Sequence, residues 1–158
     1  MVHKPKHKVH SFRGLLADDG QDEINLERQN VNLAYRIIKF SIMTKVLAAA
    51  SVEHTVKIYR EEQSSIDNTI NFTDVDLLAA GVTVSRSDAY NAPIDDTVIF
   101  DNILFSRNIY VTHSEGQSTE DCNYYIEIEE VPVGAATLMQ LKLGVARKLS
   151  LSENPPDA

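Results

Sequence analysis

The sequence predicts an all-β protein, an antiparallel β-sandwich or jelly roll of about eight strands with an extended N-terminal arm. Apolar and polar residues alternate with a period of two over much of Val98 to Val131, the pattern of a sheet with one buried face. Strand-like segments recur at intervals of about ten residues, and no segment keeps the spacing of a long helix. The 158 residues, 43% of them hydrophobic, suit a single domain with its own core.

The N-terminal region predicts an arm followed by a turn. Residues 1–12 lack apolar periodicity, so we expect a flexible basic arm there. The run Asp18-Asp19-Gly20 predicts a turn in which Gly20 takes a positive φ. Residues 24–26 then predict a short edge strand. The domain is expected to span residues 13–150, followed by a frayed tail over residues 151–158.

A long strand is predicted over residues 33–42, with a change of phase inside it. Apolar residues occupy positions 33, 35 and 37 and then 38, 40 and 42, so the alternation slips between Ile37 and Ile38. A β-bulge supplies one such extra residue and bends the strand. A strand buried on both faces at its centre would give the same pattern.

The middle of the chain predicts a hairpin and a short helix. Residues 52–60 and 66–72 have the alternation of two strands, joined by the polar residues 61–65. Thr73 is a suitable N-cap for a short helix through Ala79, before Gly81. We expect a further short strand over residues 82–84 and a loop over residues 85–96.

The C-terminal part predicts four more strands. Residues 98–105 and 108–112 come first. The segment 123–131 is the clearest, with an apolar face (Tyr124, Ile126, Ile128) and a polar face (Asn123, Tyr125, Glu127, Glu129). We expect a final strand over residues 137–143, where some helical spacing is also present.

The net charge of −8 is unevenly distributed along the chain. Residues 1–13 contain Lys4, Lys6, Lys8 and Arg13 and no acid, which leaves 11 basic and 23 acidic residues elsewhere, a net charge of −12. A basic arm can bind a polyanion or an acidic patch on another copy of the chain, and a solvated terminus is the simplest alternative. We expect no nucleic-acid partner. We also expect no membrane segment, since no apolar run approaches about 18 residues.

The histidines do not form a metal motif in the sequence. His3, His7 and His10 have helical spacing, but Pro5 and the intervening lysines oppose a preformed metal site there. His54 lies on an apolar strand face and is expected to be a hydrogen-bonded residue of the core or of an interface. His113 is expected to end a strand and to pair with a nearby acid in a loop.

The remaining polar residues do not indicate an enzyme. Cys122 has no second cysteine for an intramolecular disulfide, and neighbouring acids would raise its pKa. Five acidic pairs offer oxygen ligands for calcium without an EF-hand spacing: Asp18/Asp19, Asp22/Glu23, Asp74/Asp76, Asp95/Asp96 and Glu120/Asp121. With no nucleophile or nucleotide motif, no Trp and 7% aromatic residues, we expect no catalysis, metal or cofactor.

Six segments together resemble a known family: 13–22 (RGLLADDGQD), 35–40 (YRIIKF), 55–59 (TVKIY), 98–105 (VIFDNILF), 108–112 (NIYVT) and 123–129 (NYYIEIE). They are similar to small virion structural proteins of marine tailed phages. The resemblance implies a capsid or tail component of jelly-roll or sandwich type with no catalytic residues. Residues 136–142 depart from the more charged ending expected for that family.

We therefore expect a virion protein, made in the host cytoplasm, that decorates or cements a phage capsid or sits at the capsid–tail junction. It would act as a homo-oligomer, a trimer in the first instance, bound to a major capsid or tail protein. The residues expected at assembly contacts are Lys4, Lys6, Lys8 and Arg13 on the arm and Glu127 and Glu129 on an acidic strand face. The alternative is a calcium- or ligand-binding β-sandwich used for adhesion.

Overall fold

In a computed structural model the chain forms a β-sandwich of two antiparallel sheets, as the sequence predicts. The structure describes residues 8–26, 32–47, 51–85 and 93–142. Its strands are β1 (Val9–Leu16), β2 (Gln21–Ile24), β3 (Leu33–Thr44), β4 (Val52–Tyr59), β5 (Leu77–Ser85), β6 (Ile94–Ile99), β7 (Ile109–Glu115) and β8 (Cys122–Pro132). A short helix, α1, follows over residues 135–142.

The two sheets differ in size and enclose one main core. Strands β1, β8 and β3 form a three-stranded sheet in that order, and β2, β7, β4, β5 and β6 form a five-stranded sheet. The predicted apolar face of β8 is confirmed, because Tyr124, Ile126 and Ile128 are buried against the other sheet. This burial is the main source of stability in a sandwich of this type.

The predicted bulge in β3 is confirmed. Ile37 pairs with Ile128, but the next paired residue is Lys39, which lies opposite Glu127. Ile38 is therefore the extra residue, and the apolar phase slip in the sequence has a structural cause.

The N-terminal strand and turn differ from the prediction in two details. Strand β1 begins at Val9, so residues 9–12, which the sequence placed in the arm, pair with β8. The turn after β1 is present, but Asp19 has the positive φ, of 59°, and Gly20 does not. Aspartate tolerates the left-handed region better than most residues, and the turn closes when Gly20 N donates to Ala17 O at 2.9 Å.

The predicted short helix through Ala79 is wrong, because Leu77–Ser85 is strand β5. This strand lies between β4 and β6 and is buried on both faces over its first half, so its sequence lacks the alternation of a half-exposed strand. The predicted strand over residues 66–72 is also wrong. Residues 60–76 are a connection, in which Ile70 packs on a second small core formed by Tyr59, Leu77 and Ala80.

The C-terminal part also differs from the prediction. Strand β6 starts within the predicted loop and ends at Ile99, and Phe105 makes only an isolated bridge to Tyr35. The strand predicted over residues 137–143 is wrong, since residues 135–142 are helical and Leu138 N donates to Gly134 O. The predicted tail at residues 151–158 lies outside the described residues.

Candidate functional site

A buried polar cluster lies between the two sheets at the end covered by the turn at residues 17–20. It consists of His54 on β4, His113 and Glu115 on β7, and Cys122 on β8. The two histidines are 0% exposed and Cys122 is 1% exposed. One donor atom from each of His54, His113 and Cys122 lies within 4.8 Å of the other two, and the ladder places Glu115 directly opposite His54, on the same face of β7 as His113.

The hydrogen bonds of this polar cluster define the tautomers of both histidines. His113 Nδ1 lies 3.0 Å from Ala17 O, and because a carbonyl oxygen only accepts, Nδ1 carries a proton. In the neutral ring, His113 Nε2 is then an acceptor, and His54 Nδ1 donates to it at 2.9 Å. His54 Nε2 accepts from Thr44 Oγ1 at 2.9 Å. Every ring nitrogen is thus satisfied in the neutral state.

Glu115 is satisfied at only one of its two carboxylate oxygens. Its Oε1 accepts backbone N–H groups from Glu53, Gln117 and Ser118 at 2.7, 2.9 and 3.3 Å. Its Oε2 lies 3.0 Å from His54 Nδ1 but accepts no hydrogen bond, because the His54 proton points to His113. A buried acceptor without a donor is rare and indicates a missing partner.

Burial shifts the protonation of two members of the polar cluster. It raises the pKa of the Cys122 thiol to about 12, and the negative charge of Glu115 adds to the effect, so Cys122 is a neutral thiol at physiological pH. The prediction that the pKa of Cys122 is raised is confirmed, although burial is a larger cause than the neighbouring acid. Burial also lowers the pKa of His54, an effect that Glu115 opposes.

The sequence singled out His54, His113 and Cys122 one by one and did not bring them together. His54 is a hydrogen-bonded core residue, as predicted, but His113 is buried inside a strand and is not a loop residue. The usable signal was the spacing of His113 and Glu115, two polar residues on the inner face of a strand. Their meeting with His54 depends on the β4–β7 register, which no local pattern specifies.

A second feature is an open groove of about 590 Å³ across the three-stranded sheet. It is lined mostly by apolar surface from residues 13–15 on β1, 41–43 on β3 and 123–125 on β8. Leu15 and Met43 are 44% and 63% exposed there. Exposed apolar surface gathered in one concave place is typical of a contact surface.

The predicted assembly residues are only partly available for a partner. Lys4 and Lys6 lie outside the described residues, Lys8 is exposed, and Arg13 lines the groove. Glu127 faces outward and accepts from Tyr125 Oη at 3.0 Å. The prediction for Glu129 is wrong, because its side chain is buried and already bound by Arg36 of the same chain at 2.7 Å.

Several acids proposed as calcium ligands are used inside the chain. Asp18 accepts from Glu115 N and Asp22 from Tyr124 Oη. Asp76 pairs with Arg60, and Asp121 with Lys45. His10 likewise bonds Glu130 at 2.7 Å across the β1–β8 ladder, whereas His3 and His7 lie outside the described residues.

A buried lysine on the other face of the five-stranded sheet gives a pH-dependent prediction. Lys57 Nζ donates to Asp67 Oδ1 and Thr69 O at 3.0 and 2.7 Å. The bond from Lys57 lowers the pKa of Asp67 below its ordinary value of 3.8. Because the folded state favours the carboxylate, the pair stabilises the fold above pH 3.8, and this contribution is lost as the pH falls through the folded-state pKa.

We therefore expect Asp67→Asn to lower the free energy of unfolding by about 1 kcal/mol at pH 7, a modest effect because Asp67 is largely exposed. The difference from the unsubstituted chain should shrink below pH 3.8. Urea denaturation at several pH values measures both effects. Asp101→Asn, in the exposed turn after β6, is the matched control, and an equal loss in that variant would contradict the prediction.

Comparison with known proteins gives no family for this chain: no family model, curated protein or solved structure matches it. Among the described residues, no helix is both long and apolar enough to cross a membrane. The function therefore has to be inferred from the residues themselves.

Proposed function

We propose that the chain is a virion structural protein that associates with further copies of itself through the outer face of the three-stranded sheet. The groove at residues 13–15, 41–43 and 123–125 carries this proposal. The groove is one apolar concavity formed by three strands. Met43 lies at the edge of the groove, and most of the Met43 side chain is exposed to solvent. Covering such a surface with a second copy removes apolar area from water.

The charges of the chain favour a second copy as the occupant. Arg13 lines the groove at the end of a segment with a charge of +4, whereas the rest of the chain has a charge of −12. Acids are present on the five-stranded sheet near Tyr110, whose pKa is raised first by burial and then by Glu23, Glu62 and Glu61, and Arg60 and Arg107 lie beside them. The charge asymmetry thus supports contacts between copies.

The chemistry of the described part supports a structural role over a catalytic one. The polar cluster of His54, His113, Glu115 and Cys122 is closed to solvent, so a substrate has no access to it in this conformation. The groove, which is open, presents mainly apolar surface, with Leu15 and Met43 exposed in it. A β-sandwich whose accessible feature is an apolar groove is suited to binding another protein surface.

The resemblance to virion proteins of marine tailed phages supports the particle as the place of assembly. On a capsid, many copies bind side by side, so contacts that are weak singly become strong together. A decoration or cement protein needs surfaces for its own copies and for the capsid, and the groove and the basic N-terminal segment would supply one each. A trimer is the expected oligomer.

The groove is tested by Met43→Glu, with Met139→Glu as the matched control. Both methionines are 63% exposed, but Met139 lies on α1 and not in the groove. We expect Met43→Glu to weaken self-association at least tenfold, about 1.4 kcal/mol, because a charge would be buried in the contact. Light scattering over a concentration series measures the oligomer, and Met139→Glu should behave as the unsubstituted chain.

Co-sedimentation with particles of the phage that encodes the chain tests the virion role. The unsubstituted chain and Met139→Glu should pellet with particles, and Met43→Glu should pellet at lower occupancy. Circular dichroism confirms that each variant is folded. A monomeric unsubstituted chain that does not bind particles would overturn the proposal, as would equal association of both variants.

A further inference from the structure

We propose that His54, His113, Glu115 and Cys122 form a closed binding site for a divalent transition metal, with zinc as the preferred ion. One donor atom from each of His54, His113 and Cys122 lies within 4.8 Å of the other two. The fourth donor, Glu115 Oε2, lies 3.0 Å from His54 Nδ1. Two imidazoles, a thiolate and a carboxylate are ligand types that zinc accepts. This inference is independent of the proposed assembly function.

Two of the donor distances are close to those of a tetrahedral site. Zinc–nitrogen bonds of about 2.0 Å and zinc–sulfur bonds of about 2.3 Å place neighbouring donors about 3.3 to 3.6 Å apart. The distances from His54 Nδ1 to His113 Nε2 and to Glu115 Oε2 are 2.9 and 3.0 Å. Movements of a few tenths of an ångström would bring these two pairs to the zinc spacing, and Cys122 Sγ, within 4.8 Å of both histidine donors, would move in to complete the set.

Glu115 Oε2 is the observation that points to a ligand. Its side chain is fully buried, and Oε2 has no hydrogen-bond partner although Oε1 has three donors. Burying a carboxylate oxygen without a hydrogen-bond donor is costly. A cation between Glu115 and the two histidines would satisfy it.

The surroundings of the two histidines suit metal binding. His113 already donates from Nδ1 to Ala17 O and presents Nε2 to the centre, the arrangement that orients metal-bound histidines. Moving the His54 proton from Nδ1 to Nε2 would free Nδ1 for the ion, and Nε2 would then donate to Thr44 Oγ1. Each histidine would thus keep a hydrogen bond on its outer nitrogen.

The charges balance when the ion binds. Zinc would bind the Cys122 thiolate after one proton leaves the sulfur, and the Glu115 carboxylate supplies the second negative charge. The thiolate and the carboxylate together neutralise the dication, so no net charge remains in the core. Cys122 has a raised pKa without metal, and a coordinated zinc ion provides the positive charge that stabilises the thiolate.

The proposed site is structural, because all four ligands come from the protein and none of the donors is open to solvent. The turn at residues 17–20 covers it through Ala17 O and through Asp18, which accepts from Glu115 N at 2.8 Å. The ion would therefore enter as the chain folds or as this turn opens. The structure in this way points to a metal that the sequence patterns did not indicate.

The test starts by removing competing ligands. The full chain with His3, His7 and His10 each replaced by Gln is unfolded in guanidinium with a chelator and then refolded without metal, with Zn²⁺ or with Mg²⁺. We expect Zn²⁺ to raise Tm by about 5 °C or more at a hundredfold excess over Kd, and Mg²⁺ to have no effect. Native mass spectrometry should show one zinc ion per chain.

Cobalt substitution tests the ligands directly. Co²⁺ in the same chain should give the near-ultraviolet charge-transfer absorption of a cobalt–thiolate bond, which reports Cys122 without any further substitution. Cys122→Ser should abolish this absorption and weaken Zn²⁺ binding at least tenfold, and Glu115→Gln should weaken binding but keep the absorption. If Cys122→Ser does not fold, the cobalt spectrum of the parent chain still decides.

Two outcomes would overturn the metal site. One is a folded parent chain with neither a zinc-dependent Tm shift nor a cobalt–thiolate absorption. The other is an equal zinc shift in folded Cys122→Ser, which would show that Cys122 is not a ligand of the ion. Neither outcome affects the groove, whose test is self-association.

Discussion

Replacing Arg36 with methionine is expected to lower the free energy of unfolding by about 3 kcal/mol. Arg36 Nε and Nη2 both donate to Glu129 Oε2, at 2.8 and 2.7 Å. The carboxylate is only 3% exposed, whereas the arginine side chain is 41% exposed. Removing the arginine would leave a buried carboxylate without its cation, and some entry of water would keep the loss at the lower end of the usual range.

The double variant Arg36→Met/Glu129→Leu tests whether the loss of stability comes from the unpaired buried carboxylate. Because it removes the buried charge as well as its partner, it should recover most of the stability. Lys39→Met is the control, since Lys39 lies opposite Glu127 on the same outer face and is exposed, and we expect a change within about 0.5 kcal/mol. Urea denaturation measures all four chains. A double variant as unstable as Arg36→Met would contradict this account.

Gly14→Ala is expected to destabilise the fold by about 2 to 3 kcal/mol through overpacking. Gly14 lies directly opposite Tyr124 in the β1–β8 ladder, and a Cβ on Gly14 would lie 2.6 Å from Tyr124 Oη and 2.7 Å from two ring carbons. The tyrosine cannot swing away freely, because it is buried and its hydroxyl donates to Asp22 at 2.7 Å. Gly14 is thus required by close approach and not by a positive φ.

Gly134→Ala is the matched control for this glycine substitution. A Cβ on Gly134 would meet no atom within 4 Å, so we expect no loss of stability and a slight gain from reduced freedom of the unfolded chain. Thermal denaturation of the two variants gives the comparison. Equal Tm values for Gly14→Ala and the unsubstituted chain would show that the Tyr124 ring adjusts without cost.

The sequence predicts best those strands that have one buried face and one face exposed to solvent. The alternation in β8 placed Tyr124, Ile126 and Ile128 in the core, and the phase slip at Ile37 and Ile38 located the bulge. Such patterns are local, so they survive without knowledge of the neighbouring strand. The short edge strand predicted over residues 24–26 is displaced, because β2 spans Gln21–Ile24 and shares only Ile24 with the prediction.

The sequence fails where burial is decided by distant neighbours. The start of β5, Leu77-Leu-Ala-Ala, has the composition of a helix, but β3 of the other sheet covers one of its faces and the connection over residues 60–76 covers the other. The C-terminal helix was missed because Leu141 fits a helical spacing with Leu138 and also an alternation with Leu143. In each case tertiary packing outweighs intrinsic preference.

The candidate site was less predictable than the fold. The polar cluster draws on β4, β7, β8 and the turn at residues 17–20, and these meet only when the two sheets are stacked. For Glu129 the local pattern was interpreted correctly and the long-range contact was missed. Its place on the polar face of β8 was read correctly, but the partner that buries it, Arg36, is 93 residues away in the sequence.

The bulge in β3 has a consequence for insertions and deletions in this chain. Arg36 and Met43 are an odd number of residues apart and yet share the outer face, because Ile38 adds one unpaired residue between them. Loss of Ile38 would leave a regular strand with the same two faces. An insertion or deletion after the bulge would exchange Phe40 with its exposed neighbours and turn the groove wall into core. We therefore expect β3 to tolerate a change of length only at Ile38.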